Sequence, residues 1–224
     1  MIDIVKPRIP TKYIFTDENE MKNYDLFMRK LRDKGWINPK SVINAGISKG
    51  VVIQLGHGPG YCGAEWLKNT SNTKLKALEV NAKLIEISKR NIQEYKGLEK
   101  RIEYVNCSAE KMDIDDESID GVFAYGAVNS WPNPLNVFNE INRVLKTGGK
   151  YFILAHRRDM NFFVVLFEKY FLFRNSTKEE YDGYKESVNA AYTYKELKEI
   201  LEKSELKNWN LTKYLRNMTI IGEK

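Results

Sequence analysis

The stretch Val51-Val52-Ile53-Gln54-Leu55-Gly56-His57-Gly58-Pro59-Gly60 decides how this chain is read, together with Leu75-Lys76-Ala77-Leu78-Glu79 further on. The apolar, β-branched run at 51–55 has the character of a strand buried on both faces of a parallel sheet. Three alternating glycines after it let the backbone turn sharply and approach a ligand with no Cβ in the way. The segment from Tyr61 to Leu67 then forms a helix. A second apolar strand ends at Glu79, a carboxylate able to accept both hydroxyl protons of a ribose. The combination predicts a nucleotide-cofactor site.

The glycines can be parsed in two ways. Gly58-x-Gly60-x-x-Gly63 is a dinucleotide fingerprint and would make the protein an NAD(P)-dependent oxidoreductase. Gly56-x-Gly58-x-Gly60 instead resembles the class I S-adenosylmethionine (SAM) methyltransferases, and three downstream segments favour this second parse. Residues Arg101 to Glu110 form a third strand ending in Cys107-Ser108-Ala109-Glu110, where that family holds the adenine. Ser118 to Tyr125 form a fourth strand leading into Asn129-Ser130-Trp131. Phe138 to Leu154 read as a helix that stops at Gly148-Gly149 and runs into a fifth strand. Together these cover about residues 50 to 155 in the family's order, and the set resembles the small-molecule methyltransferases of ubiquinone and menaquinone biosynthesis most closely.

The resemblance implies an α/β fold, a Rossmann-like seven-stranded sheet flanked by helices, with a C-terminal antiparallel strand pair and a helical cap. The chain's own pattern agrees. Strands are expected near 51–55, 74–78, 102–106, 120–125 and 150–155, with helices near 61–69, 82–95 and 134–146, and such alternation requires a parallel sheet with right-handed crossovers. Met21, Tyr24, Phe27, Met28 and Leu31 mark one face of a helix within 17–35, and Asn38-Pro39 starts a short second one. Thr193-Tyr194-Lys195-Glu196 is a capping box opening a helix to about Glu202, and Ser176 or Thr177 caps an earlier one. Trp209 to Leu215 and Met218 to Gly222 read as the final strand pair, a feature that separates this fold from a dehydrogenase. One domain is expected over 1–224: a helical lid at 1–50, a SAM-binding core at 51–156, an acceptor cap at 157–192 and the terminal helix and strands at 193–224.

At 224 residues the chain can bury roughly 70% of its unfolded surface, so no disulfide framework is needed. Cys62 and Cys107 read as reduced thiols of a cytoplasmic protein, and no spacing suggests a metal site. The N-terminus lacks a signal-peptide pattern, and no run is long and apolar enough to span a membrane. The net charge of +6 comes from lysines interleaved with glutamates, which describes a solvated surface and not a nucleic-acid patch. A monomer or homodimer acting on a small molecule is expected.

Carried onto this sequence, the resemblance makes Gln54, Gly56, Gly58, Gly60, Glu79, Ser108, Ala109, Glu110 and Tyr125 the cofactor-binding set for SAM and its product S-adenosylhomocysteine (SAH). Methyl transfer is an in-line displacement at a sulfonium, so positioning does much of the catalysis and aromatic rims suit the cation. Tyr61, Tyr125 and Trp131 are the aromatics near the ends of the first and fourth strands, and each could equally be packing. His156, after the fifth strand, is the candidate general base; Tyr125 is a candidate positioning residue; Trp131 and Arg157 are candidate acceptor contacts. His57 shapes the donor loop. The apolar segment Phe162 to Phe173 is read as the roof of an acceptor pocket, with a dimer interface or a membrane-surface contact as alternatives.

The sequence departs from the family pattern at two positions. Gln54 stands where an acid usually ends the first strand, and Ser108 where an Asp usually accepts from the adenine amino group. Losing two charge-assisted bonds could weaken donor binding by about 1 to 3 kcal/mol. That keeps open a second class of function, a SAM-binding scaffold or regulatory partner without turnover. The segment after the fourth strand, Ala124-Tyr125-Gly126-Ala127, lacks the prolines usual where bases or amides are methylated, so a small, partly apolar acceptor is expected.

Overall fold

Pro134 at the start of one helix, capping threonines at two others and left-handed glycines (Gly35, Gly46, Gly56 and Gly126) just past the ends of strands and helices divide the chain into its elements. The computed structural model describes residues 7–11, 17–167, 170, 174 and 176–224. In chain order these are α1 (Glu18–Asp33), α2 (Lys40–Asn44), β1 (Gly50–Leu55), α3 (Tyr61–Lys68), β2 (Thr73–Leu78), α4 (Ala82–Asn91), β3 (Ile102–Val105), β4 (Ile119–Tyr125), α5 (Pro134–Val144), β5 (Leu145–His156), α6 (Phe162–Phe167), α7 (Lys178–Ala190), α8 (Tyr194–Lys203), β6 (Asn210–Lys213) and β7 (Asn217–Glu223).

The seven strands form one sheet in the order β3-β2-β1-β4-β5-β7-β6. The first five run parallel, and β7 inserts antiparallel between β5 and β6. This is the expected mixed sheet with its terminal antiparallel pair. The order reverses between β1 and β4, the place where open α/β sheets leave a crevice at their carboxyl edge.

Period-two alternation sends the side chains of β1 to two cores. Ile53 and Leu55 join Val122, Ala124 and Ile153 under α5 and α8, while Val52 joins Phe123 and Phe152 under α2 and α3. Gln54 shares the face of Val52 and therefore sits beneath α3. The helix expected to stop at Gly148-Gly149 ends earlier, at Val144, and β5 starts at Leu145. Leu145 pairs with Ile119, and an irregularity separates this pair from the Gly121–Lys150 register. Gly148 has φ +77°, so the glycine pair bends the strand instead of ending the helix.

Both capping boxes are present. Thr177 pairs with Glu180, which settles the choice between Ser176 and Thr177, and Thr193 pairs with Glu196. The expected apolar helix at 162–173 lies only partly within the described residues: α6 exposes Phe163, Val165, Leu166 and Phe167 and buries Val164. The expectation for the first six residues lies outside the described residues. Among the described residues no helix is long and apolar enough to cross a membrane.

Because Thr193 Oγ1 accepts from Glu196 N–H at 3.2 Å, Thr193→Ala should cost about 1 kcal/mol. Urea unfolding should show a lower midpoint with an unchanged slope.

Candidate functional site

The glycine loop leaves β1 as a series of left-handed turns. Gly56, Gly58 and Gly60 have φ of +67°, +57° and +95°, a region costly for residues with a Cβ. A Cβ at Gly56 would also lie 2.7 Å from Ala127 Cβ. The loop is tied to the next strand by His57 N–H, which donates to the Leu78 carbonyl at 2.9 Å.

Glu79 stands immediately after β2. Its Oε2 accepts from Gly58 N–H at 2.9 Å and its Oε1 from Asn81 N–H at 3.0 Å. Burial holds its carboxyl above the ordinary glutamate range, partly offset by the backbone N–H groups of Asn81, Gly58 and Val80. Asn106 Nδ2 donates to the Glu79 and Val80 carbonyls at 2.8 and 2.9 Å, locking this turn to the end of β3. Val80 is 46% exposed, leaving apolar surface beside the carboxylate. On the far side, Ser108 Oγ accepts from Glu110 N–H at 3.2 Å, and Glu110 Oε1 accepts from Asn133 N–H. Ala109 lies between them, half-buried.

Gln54 and His57 meet below the loop. Gln54 Oε1 lies 2.8 Å from His57 Nδ1, and His57 Nε2 lies 2.8 Å from Ser88 Oγ on α4. Ser88 Oγ in turn lies 3.2 Å from Tyr104 Oη. Burial holds the imidazole down to about 3, so it is neutral. Gly63, the third glycine of the dinucleotide parse, serves close packing here. A Cβ on it would overlap Gln54 Oε1 and lie 2.7 Å from His57 Cε1.

The helix α1 lies across this loop. Met21 is buried and takes a 3.7 Å contact from Asn81 Nδ2. A Cβ at Gly58 would sit 3.5 Å from Tyr24 Oη, and burial, aided by the charge of Glu79, pushes the Tyr24 phenol up to about 12. Asp25 Oδ1 accepts from Tyr61 Oη at 3.0 Å and Asn91 Nδ2 at 2.7 Å, while Asn91 Nδ2 also donates to the Pro59 carbonyl at 2.9 Å. Thus Tyr61 braces α3 against α1, with Arg32 over its ring at 4.8 Å. Tyr24 and Val80 were not singled out as site residues in the sequence. An exposed aliphatic residue directly after the ribose acid was the available signal for Val80; Tyr24 had only its helical spacing.

Of the four acceptor-side expectations, Trp131, Arg157 and Tyr125 pack against other parts of the protein, and His156 reaches the expected edge. Trp131 is 5% exposed and meets Phe138 edge-on at 5.9 Å, inside the main core. It packs and does not line an open acceptor site, because the turn at 128–130 directs it under α5. Arg157 is also buried: Nε donates to Asp159 Oδ1 at 2.8 Å, Nη1 to the Tyr214 carbonyl at 2.8 Å and Nη2 to the Asp159 carbonyl. Its guanidinium is a strut between the end of β5 and the β6–β7 turn. Tyr125 rests against the second core, and burial pushes its phenol up to about 12, with Asn38 N–H acting on its oxygen. His156 does reach the sheet's carboxyl edge, where Nδ1 lies 3.1 Å from Asn217 Oδ1 and Nε2 would be 3.6 Å from a Cβ at Gly126. Tyr184 of α7 meets its ring edge-on at 6.3 Å. The described residues hold no group of three His, Cys, Asp or Glu placed to bind a metal.

Residues 53–153 match the family model described as a methyltransferase domain. An uncharacterised methyltransferase of Bacillus subtilis, YdaC, is 24% identical over 124 residues, which are 55% of this chain and 66% of that protein, just under two thirds of its length. A protein of Methanococcus maripaludis, provisionally described as a SAM-dependent methyltransferase, superimposes with a TM-score of 0.71 at 22% identity, covering 96% of this chain and 97% of the other. A SAM-dependent methyltransferase of Aquifex aeolicus gives 0.68 at 17% identity, covering 93% and 98%. Phosphoethanolamine N-methyltransferase 2 of Haemonchus contortus, solved with SAM, gives 0.56 at 14% identity over 74% of this chain and 35% of that one.

Residues 53–153 are thus similar to a methyltransferase domain, and the chain has the fold of SAM-dependent methyltransferases of known structure. The dinucleotide parse of the glycines is set aside, since β7 runs antiparallel where a dehydrogenase repeats strand-helix units. The narrower likeness to quinone-biosynthesis enzymes finds no support in these relatives.

The neutral His57 has a linkage consequence. Its folded value near 3 lies below its ordinary 6.5, so the unfolded chain binds the proton first. Stability is full above pH 6.5 and falls as pH drops toward 3. One such proton contributes a slope of about 1.4 kcal/mol per pH unit. Chemical unfolding of His57→Gln should show a shallower loss on acidification than wild type.

Proposed function

We propose that this chain binds SAM at the Gly56–Gly60 loop and transfers its methyl group to a small, partly apolar acceptor. The carrying observation is the pairing of a three-glycine, left-handed loop with the Glu79 carboxylate, whose Oε2 already accepts from Gly58 N–H at 2.9 Å. The donor set suits the ligand. A carboxylate with two oxygens can take both ribose hydroxyls, exposed Val80 offers an apolar face to the adenine, and Ser108 keeps a lone pair for its amino group. When bound, SAM supplies an electrophilic methyl on a sulfonium.

The chain's contribution is orientation and proton handling. As the candidate base, His156 is oriented by Asn217 Oδ1, 3.1 Å from Nδ1, a contact that would set the tautomer in which Nε2 takes the acceptor's proton. Tyr184 across the ring limits water there and favours a flat or apolar acceptor. Ser187, one turn along α7, accepts from Asn129 Nδ2 at 3.0 Å and continues that wall. A second reading, a SAM-binding partner without turnover, draws on the uncharged residues at 54 and 108.

Calorimetry with SAM and SAH should give saturable binding that weakens about tenfold or more in Glu79→Ala, with NADH as the silent control. Turnover on a panel of phenols, amines and thiols that falls in His156→Gln while SAH affinity holds would support His156 as base. SAH binding with no turnover on any acceptor would support the second reading.

A further inference from the structure

The acid usual at the end of β1 is replaced by Gln54, and the structure gives that glutamine a specific partner. Gln54 Oε1 carries no proton, so His57 Nδ1 must donate across their 2.8 Å contact. The neutral ring then has its lone pair on Nε2, which takes the Ser88 hydroxyl proton at 2.8 Å. Ser88 has only that proton, and the same hydroxyl also donates to Tyr104 Oη at 3.2 Å, the longer branch of a shared hydrogen bond. With Gln54 Oε1 as acceptor, the chain Ser88–His57–Gln54 is uncharged throughout, and Tyr104 closes its far end as acceptor. It runs from β3 through α4 and the loop to β1.

An acid at position 54 would reverse this chain. A carboxylate beside the ring favours the doubly protonated imidazole, which has no lone pair left for Ser88. Glutamine at 54 and histidine at 57 therefore depend on each other. The space around them is closed: a Cβ at Gly60 would overlap Ser88 Oγ and lie 3.0 Å from His57 Nε2, and one at Gly63 would overlap Gln54 Oε1. The titratable group against the ring is Tyr104, edge-on at 5.7 Å. Lys89 lies 5.9 Å over the Tyr104 ring, and the charge of Glu86 acts on its hydroxyl.

We propose that His57 is the positioning residue of the donor loop, an uncharged bridge from Gln54 to Ser88 that holds Gly56–Gly60 in binding geometry and makes donor affinity insensitive to pH where histidines ordinarily titrate. The role rests on the reading of SAM as donor and explains how a loop without its acid keeps its shape. His57 touches neither ligand nor reacting atoms in this role; it acts through the loop backbone.

The test is SAH calorimetry on wild type, Ser88→Ala and Gln54→Glu between about pH 5.5 and 7.5, with the 15N spectrum of His57 recorded alongside. Wild-type affinity should change less than about twofold over that range, with His57 in the Nδ1–H tautomer throughout. Ser88→Ala should bind about five- to tenfold more weakly at every pH, and Gln54→Glu should acquire a pH dependence of more than about threefold. A wild-type His57 that protonates in this range, an Nε2–H tautomer, or variants that bind SAH as wild type does would overturn the proposal. Circular dichroism confirms that the variants fold. Failure of folded wild type to bind SAH would instead refute the donor reading itself.

Discussion

A strand buried on both faces has no water at its end, and β1 is such a strand. Ile53 and Leu55 face one core and Val52 the other, so the polar side chain of Gln54, 2% exposed, must find its partner inside the protein. That partner is His57, and through it Ser88 on α4. The glycines follow from the same constraint: the loop must turn left-handed at Gly56, Gly58 and Gly60 to bring His57 back under α3. Gly63 must lack a Cβ so that α3 can pass over the pair. Donor loop, α3 and α4 are one packed unit.

Helix α1 over that unit is held differently. Apart from Met21, few α1 residues are deeply buried, and the helix docks through Asp25, Arg29 and Arg32 on one side and Lys30 on the other. Lys30 reaches Glu180 of α7 at 3.2 Å, joining α1 to the helix that faces His156. Partly exposed ion pairs of this kind are each worth little and separate readily in water. An uncharged floor beneath a helix fastened by partly exposed ion pairs suits the proposed admission and release of a cofactor as large as SAM.

The sheet was legible because its strands obey simple chemistry. Runs such as Val51 to Leu55 admit little but a buried strand, and the capping boxes at Thr177 and Thr193 mark helix starts by local hydrogen bonding. The start of β5 was not legible, since Leu145 is fixed by pairing with Ile119, a contact 26 residues distant. The proposed donor site was legible where backbone conformation requires glycine or where an acid closes a strand. Acceptor contacts were not. Position after a strand places a residue at the edge without giving the direction of its side chain, so Trp131 turned into the core and Arg157 into its own loop. Tyr24 reaches the donor loop from a helix some 30 residues upstream, a juxtaposition that helical spacing alone cannot supply.

The central claim is that Gly56–Gly60 and Glu79 together form the donor site beneath α1. A crystal structure of the SAH complex tests it most directly. The account predicts SAH lying along the loop with its ribose hydroxyls on the Glu79 carboxylate, and with the Gln54–His57–Ser88 chain unchanged beneath it. SAH bound elsewhere, or a donor loop rearranged so that His57 leaves Gln54, would contradict it.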